Sequence, residues 1–199
     1  MGLTPVPDTQ IATIVTSLEM RERPRPRPTP PSPLSLVPWP APASERYRTL
    51  FRRVGEPWLW FSRLMMADKD LRAILDSPAV EIYAATDRSG IELGMLELDF
   101  RVPGTCELSF FGLVPEVTGQ GNGGWLMHHA LTLAWRIAIG RVWVHTCTLD
   151  HPSALGFYRR HGFVPYKRIV ETFDDPRVLG VLPREAAPQI PCLAAHSSR

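Results

Sequence analysis

The chain of 199 residues is 44% hydrophobic and 21% charged, a balance that excludes a disordered polymer and fits about one domain. Twenty-two Lys and Arg stand against 20 Asp and Glu, so the formal charge of +2 does not by itself point to nucleic acid. No apolar run approaches the ~18 residues of a membrane span, and three cysteines, Cys106, Cys147 and Cys192, build no disulfide framework, so a reducing cytoplasm is expected. The first twenty residues lack the basic start of a signal peptide.

Proline is unevenly spread. Of 21 prolines, eleven fall in residues 1–42 and four in residues 176–199, leaving six between. This predicts a Pro/Arg-rich N-terminal arm (1–42), a folded domain (43–175) and a C-terminal tail (176–199). Residues 11–18 (IATIVTSL) are β-prone and suit a stray edge strand. Residues 21–33 (RERPRPRPTPPSP) suit stiff, extended polyproline II, either a spacer or a partner-binding segment.

From Ser44 the texture changes. Tyr47, Leu50, Phe51 and Val54 share one face of a helix capped by Ser44 and stopped by Gly55. Pro57 restarts a helical stretch with Trp58, Trp60 and Phe61. Asp68 caps a third, with Leu71, Ile74 and Leu75 on its apolar side. Three strand-like runs follow (80–86, 91–102, 105–114), joined by hairpin-like turns at DRSG and Pro103-Gly104. A long helix is predicted over 122–138, with Leu126, Ala130, Leu133, Ala134 and Ile137 in its stripe. The nearly apolar run 141–149 reads as a strand covered on both faces, 152–162 as a short helix, and 163–173 as a last strand. A meander followed by strand–helix–strand predicts a mixed α/β sheet with helices on both faces.

The most informative segment is the glycine cluster from Gly112 to Gly124, between a strand end and a helix start. Bare backbone N–H groups there can converge on an anion that the helix dipole favours. A P-loop would need Gly-Lys-Ser/Thr, and the sequence has Gly123-Gly124-Trp125. Gly119-x-Gly121-x-x-Gly124 matches a dinucleotide fingerprint, but too little chain follows for the repeated βαβ units of that fold.

The segment resembles motif A of the GCN5-related N-acetyltransferase superfamily, Arg/Gln-x-x-Gly-x-Gly/Ala after a strand. Here the strand end is Leu113-Val114-Pro115 and the loop is Thr118-Gly119-Gln120-Gly121-Asn122-Gly123. A second superfamily motif, Asn-x-x-Ala-x-x-Leu-Tyr-x-x-x-Gly-Phe, is matched by His151, Ala154, Phe157, Tyr158, Gly162 and Phe163. Thr118 stands for the usual Arg or Gln, and His151 for the usual Asn.

The resemblance covers about residues 43–173. It implies a mixed, mostly antiparallel, twisted sheet of six to seven strands with a parallel splay at its fourth and fifth strands. It also implies acetyl-CoA as cosubstrate, no metal, and an amine acceptor of open identity; a homodimer is compatible with it. Leu113, Val114, Thr118, Gly119, Gln120, Gly121, Asn122, Gly123, Gly124 and His151 are the expected acetyl-CoA contacts, with the Leu113 N–H polarising the thioester carbonyl. Tyr158 matches the superfamily's acid for the departing thiolate. Glu107 matches the base of one branch, with Glu97 and Asp99 as alternatives. Glu107, Ser109 and Phe111 are expected to share a strand face. The alternative function is a catalytically silent acyl-CoA-binding module.

Overall fold

The computed structural model describes residues 2–193. Seven strands form one sheet in the order β2-β3-β4-β5-β6-β1-β7. They are β1 (Gln10–Met20), β2 (Ser35–Pro38), β3 (Val80–Thr86), β4 (Glu92–Asp99), β5 (Thr105–Leu113), β6 (Arg141–Cys147) and β7 (Val164–Asp174). Every pairing is antiparallel except β5 with β6, so the sheet is mixed as expected; the unexpected β2 makes the splayed pair the fifth and sixth strands rather than the fourth and fifth, and β6 and β7, joined through the helix after β6, are separated by β1 rather than paired.

Helices α1 (Ser44–Gly55), α2 (Ser62–Met65) and α3 (Asp68–Leu75) cover one face of the β2–β5 half; α4 (Asn122–Ala134) and α5 (Ala154–Arg160) pack on the other face. In α1 the spacing of Tyr47, Leu50, Phe51 and Val54 puts all four in the core. The residue before the helix, Ala43, takes the cap position instead of Ser44, and Ala67 does so before α3, neither with a side-chain cap bond. At Gly55 a Cβ would stand 2.4 Å from the Trp60 side chain, so the bare backbone lets that indole fold back against α1.

The N-terminal arm is corrected from appendage to structural part. β1 is an interior strand, paired along its length with β7 and over Val15–Met20 with β6. Leu18 and Met20 enter the central core. β1 and β2 run in the same direction on opposite sides of the sheet, so residues 21–34 must cross its width and its height. Five strand spacings are ~24 Å and a strand's length is ~20 Å. An extended polyproline segment of that size reaches ~40 Å, enough for the diagonal. On the way it lies on α4: Thr29 bonds His128 at 2.9 Å, Ser32 donates to Asn122 at 2.7 Å, and Leu34 joins the core.

The tail is likewise packed. The Arg177 guanidinium, buried against Asp175, donates to the carbonyls of Ala186 (3.1 Å) and Ile190 (2.8 Å). Leu182, Ala186 and Ala187 pack with Ile11 and Leu59. Residues 194–199 of the expected tail lie outside the described residues.

Two elements differ locally. The long helix ends at Ala134 rather than 138, because Trp135 turns back into the core, leaving Ile137 exposed and Ala138 at φ +78°. β6 is covered on one face only: Val142, Val144 and Thr146 are buried, while Trp143, His145 and Cys147 look out from the other.

Candidate active site

The parallel β5–β6 ladder runs from Thr105↔Arg141 to Glu107↔Trp143 and stops. Beyond it the strands part. The gap opens a cleft of about 660 Å³, lined on β5 from Leu108 to Leu113, on β6 by Val144, His145 and Cys147, and on α5 by Phe157 and Tyr158.

One end of the cleft is the glycine loop. A 3-10 turn, Pro115–Val117, follows β5, and the loop enters α4 with Gly119 at φ +80° and Gly121 at φ +84°. Nothing lies within 4 Å of where a Cβ would stand at Gly119, Gly121 or Gly124, so the backbone faces open space at the N-terminus of a 13-residue helix. This fits a pyrophosphate. Leu113, Thr118, Gly119, Gly123 and His151 line the cleft, whereas Val114, Gln120, Gly121, Asn122 and Gly124 do not. Val114 is buried under α1, and Asn122, held by Ser32, donates to the Val117 carbonyl at 3.0 Å. Those two shape the loop from behind.

The His151 ring accepts from Ser153 N–H at 3.1 Å and lies edge-on to Trp58, 5.1 Å between centroids. It organises the start of α5. Its neighbour Asp150 accepts from Trp60 (3.1 Å), Thr146 (2.7 Å) and the Cys147 N–H (2.9 Å), tying the end of β6 to the loop after α1.

A β-bulge changes the facing of β5. The β4 register passes from Asp99↔Glu107 and Leu98↔Leu108 directly to Glu97↔Phe110 and Leu96↔Phe111, leaving Ser109 as the extra residue. Glu107 therefore shares a face with Phe110. Phe111 points the other way, with its ring 6.2 Å from Tyr158, so the expected common face of Glu107, Ser109 and Phe111 is corrected. The same strand separates two expected roles. Glu107 and Leu113 are six residues apart, ~20 Å on a strand, so they cannot both serve one thioester carbonyl.

Glu107 is 3.3 Å from Nδ1 of His145, with side-chain exposures of 22% and 47%. In the sequence His145 shares a strand face with Cys147 and reads as a buried strand residue rather than as a nucleophile partner or metal ligand. Glu107 and His145 lie on different strands, and only the β5–β6 pairing makes them neighbours. The hydrogen bond to Glu107, aided by the charges of Glu107, Asp150 and Glu171, holds the imidazole pKa above its ordinary value against the effect of burial. Nδ1 faces the carboxylate, which leaves Nε2 as the other ring nitrogen.

The alternative carboxylates are engaged elsewhere. Glu97 is 0% exposed and accepts from the Tyr47 hydroxyl (2.5 Å) and from Arg63 (2.6 Å), joining α1, α2 and β4. Asp99 is held by Arg101 at 2.5 Å, which keeps its carboxyl below the usual range despite burial. Tyr158 is buried at the cleft wall; burial raises its phenol, and the Asp150 charge adds to this. Burial, then Asp150, also raises the Cys147 thiol.

A parallel pair that opens over a glycine loop at a helix start defines an acyl-CoA-type transferase fold. The model of the acetyltransferase (GNAT) family matches residues 38–163, and the chain belongs to that family. β1, nearly all of the arm and β7 lie outside the matched span. Solved structures with this fold include a conserved protein of unknown function from Staphylococcus epidermidis (13% identity, TM-score 0.58, covering 83% of this chain and 63% of that one). A GCN5-related N-acetyltransferase from Sphaerobacter thermophilus is similar at 16% identity and TM-score 0.57, covering 81% and 51%. An IAA acetyltransferase from Bacillus cereus is similar at 19% identity and TM-score 0.52, covering 67% and 79%. The chain thus spans about half to two-thirds of the length of the first two. A comparison with curated protein sequences finds no match.

Proposed function

We propose that the chain transfers an acetyl group from acetyl-CoA to a primary amine by direct attack in a ternary complex. The observation that carries this reading is a cleft that joins an open glycine loop to His145, whose Nδ1 stands 3.3 Å from Glu107 just outside the cleft lining. Acetyl-CoA supplies the activated acetyl as a thioester. Backbone N–H groups of Gly119 to Gly123 hold its pyrophosphate, the Thr118 and Gly124 N–H groups being bonded to the Pro115 and Gly121 carbonyls, and the unpaired edge of β5 from Ser109 to Leu113 holds its amide arm as an added strand would.

His145 Nε2 takes a proton from the bound ammonium, freeing the amine lone pair to attack the thioester carbonyl, while Glu107 orients the ring and stabilises the imidazolium. The backbone at the Ser109 bulge, rather than Leu113, donates to the carbonyl oxygen as charge develops there. Tyr158 gives its proton to the leaving thiolate; its raised pKa keeps it protonated until then. Glu171 of β7 also lines the cleft, and with Glu107 it favours the approach of a cationic amine. The three cysteines are free, which supports a reducing, cytoplasmic setting.

Thiol release from acetyl-CoA across an amine panel tests the proposal. Turnover with at least one amine is expected. Binding without release on any amine would make the chain an acyl-CoA-binding module, and no binding would overturn both readings.

A further inference from the structure

β7 ends the sheet. Among the described residues it forms a ladder only with β1, and its outer row of N–H and C=O groups is open. Proteins normally blunt such an edge with proline, bulges or a covering segment. Here Pro165 and the irregularity between Lys167 and Pro165 blunt the start of the strand, and residues 167–174 contain no proline. Apolar side chains crowd this open part: Ile169 is 47% exposed and Val170 72%. Exposed Ile14 lies opposite Val170 on β1, and Leu155 of α5 is also exposed. Exposed apolar side chains beside an unpaired edge, Val170 and Ile14 on one face of the sheet and Ile169 on the other, mark an association surface.

We propose that β7 joins two copies of this chain edge to edge, antiparallel, about a two-fold axis through Ile169. Charge selects the register. Paired residues in a continuous sheet point to one face, so the axis must pass through a residue rather than between two. An axis at Lys167, Arg168 or Glu171 sets like charges against each other. An axis at Val170 sets Ile169 against Glu171 of the partner subunit and forms no charge pair. With the axis at Ile169, Lys167 meets Glu171 of the partner subunit, and symmetry makes the pair twice.

The pairing with β1 puts Lys167 (opposite Ser17) and Glu171 (opposite Thr13) on one face, as this register requires. Val170 then meets the aliphatic stem of Arg168 of the partner subunit. The two sheets become one. Because Glu171 lines the cleft, Lys167 of the partner subunit comes to its rim. A short ladder with two charge pairs lies at the small end of stable interfaces, so a micromolar dissociation constant is expected.

Sedimentation equilibrium of the full chain over a micromolar concentration series tests this. The wild type should dimerise. Lys167→Glu and Glu171→Lys should each weaken the dimer about tenfold or more, since each turns two attractive pairs repulsive. An equimolar mixture of the two variants should associate again, because one variant's edge is then acidic at both positions and the other's basic at both. Both side chains are exposed, so melting should be unchanged; if either variant is misfolded, Ile169→Lys, which sets two lysines on the axis, replaces it. A monomeric wild type, a dimer indifferent to Lys167→Glu, or a mixture that stays monomeric would overturn the proposal.

Discussion

Leu18→Ala measures whether the N-terminal strand belongs to the folded domain. Leu18 is 0% exposed, sits opposite Val144 of β6 and Pro165 of β7, and contributes to the core beneath α4 and α5. β1 lies between β6 and β7 there, so the backbone has little freedom to collapse into the space left. The upper part of the Leu→Ala range, about 3–5 kcal/mol, is therefore expected. For a chain of this length each kcal/mol moves the melting temperature roughly 2–4 °C, giving a fall of about 6–20 °C. Leu3→Ala, at a fully exposed site seven residues before β1, is the control and should stay within about 0.5 kcal/mol. Calorimetric melts of both variants decide. A shift of less than about 2 °C for Leu18→Ala would mean that the strand is dispensable and the seven-stranded sheet is wrong.

Three further outcomes concern the cleft. His145 must be neutral to accept a proton, so kcat/KM should rise with pH through its pKa, which Glu107 holds above the ordinary ~6.5. Glu107→Gln removes that hold and should move the rising limb to lower pH while reducing the rate; an unmoved limb refutes the pairing. Tyr158→Phe should lower kcat by about 10²-fold and leave the acetyl-CoA dissociation constant nearly unchanged, as single-turnover and calorimetric titrations can show. Gly121→Val forces a β-branched residue to φ +84° and should weaken acetyl-CoA binding at least about tenfold by titration calorimetry.

The parts legible in the sequence are those that local chemistry dictates. The α1 stripe follows from helical spacing, and the glycine loop from the backbone conformations and open approach it needs. The parallel crossover follows from strand–helix–strand order. The strand 10–20 is visible as β-prone but not placeable, because its partners lie some 130 and 150 residues later in the chain. The proline-rich segment behind it has the composition of a domain boundary. It is instead the stiff crossing that carries the chain over α4 to β2.

The bulge at Ser109 is equally hidden. The run Leu108-Ser109-Phe110-Phe111 satisfies alternation in either phase, and only the register against β4 chooses. His145 reads as one residue of a buried strand until β6 proves to be covered on one face only. In each case a long-range pairing supplies what the local pattern leaves open.

Initial velocities measured against both acetyl-CoA and an accepted amine bear most directly on the transfer step. Cys147 lines the cleft and is the one thiol placed to take the acetyl group first, but its raised pKa disfavours the thiolate. Double-reciprocal lines that intersect are predicted, with no acetyl group retained on Cys147 by mass spectrometry in the absence of amine. Parallel lines together with an acetylated Cys147 would contradict direct attack in a ternary complex.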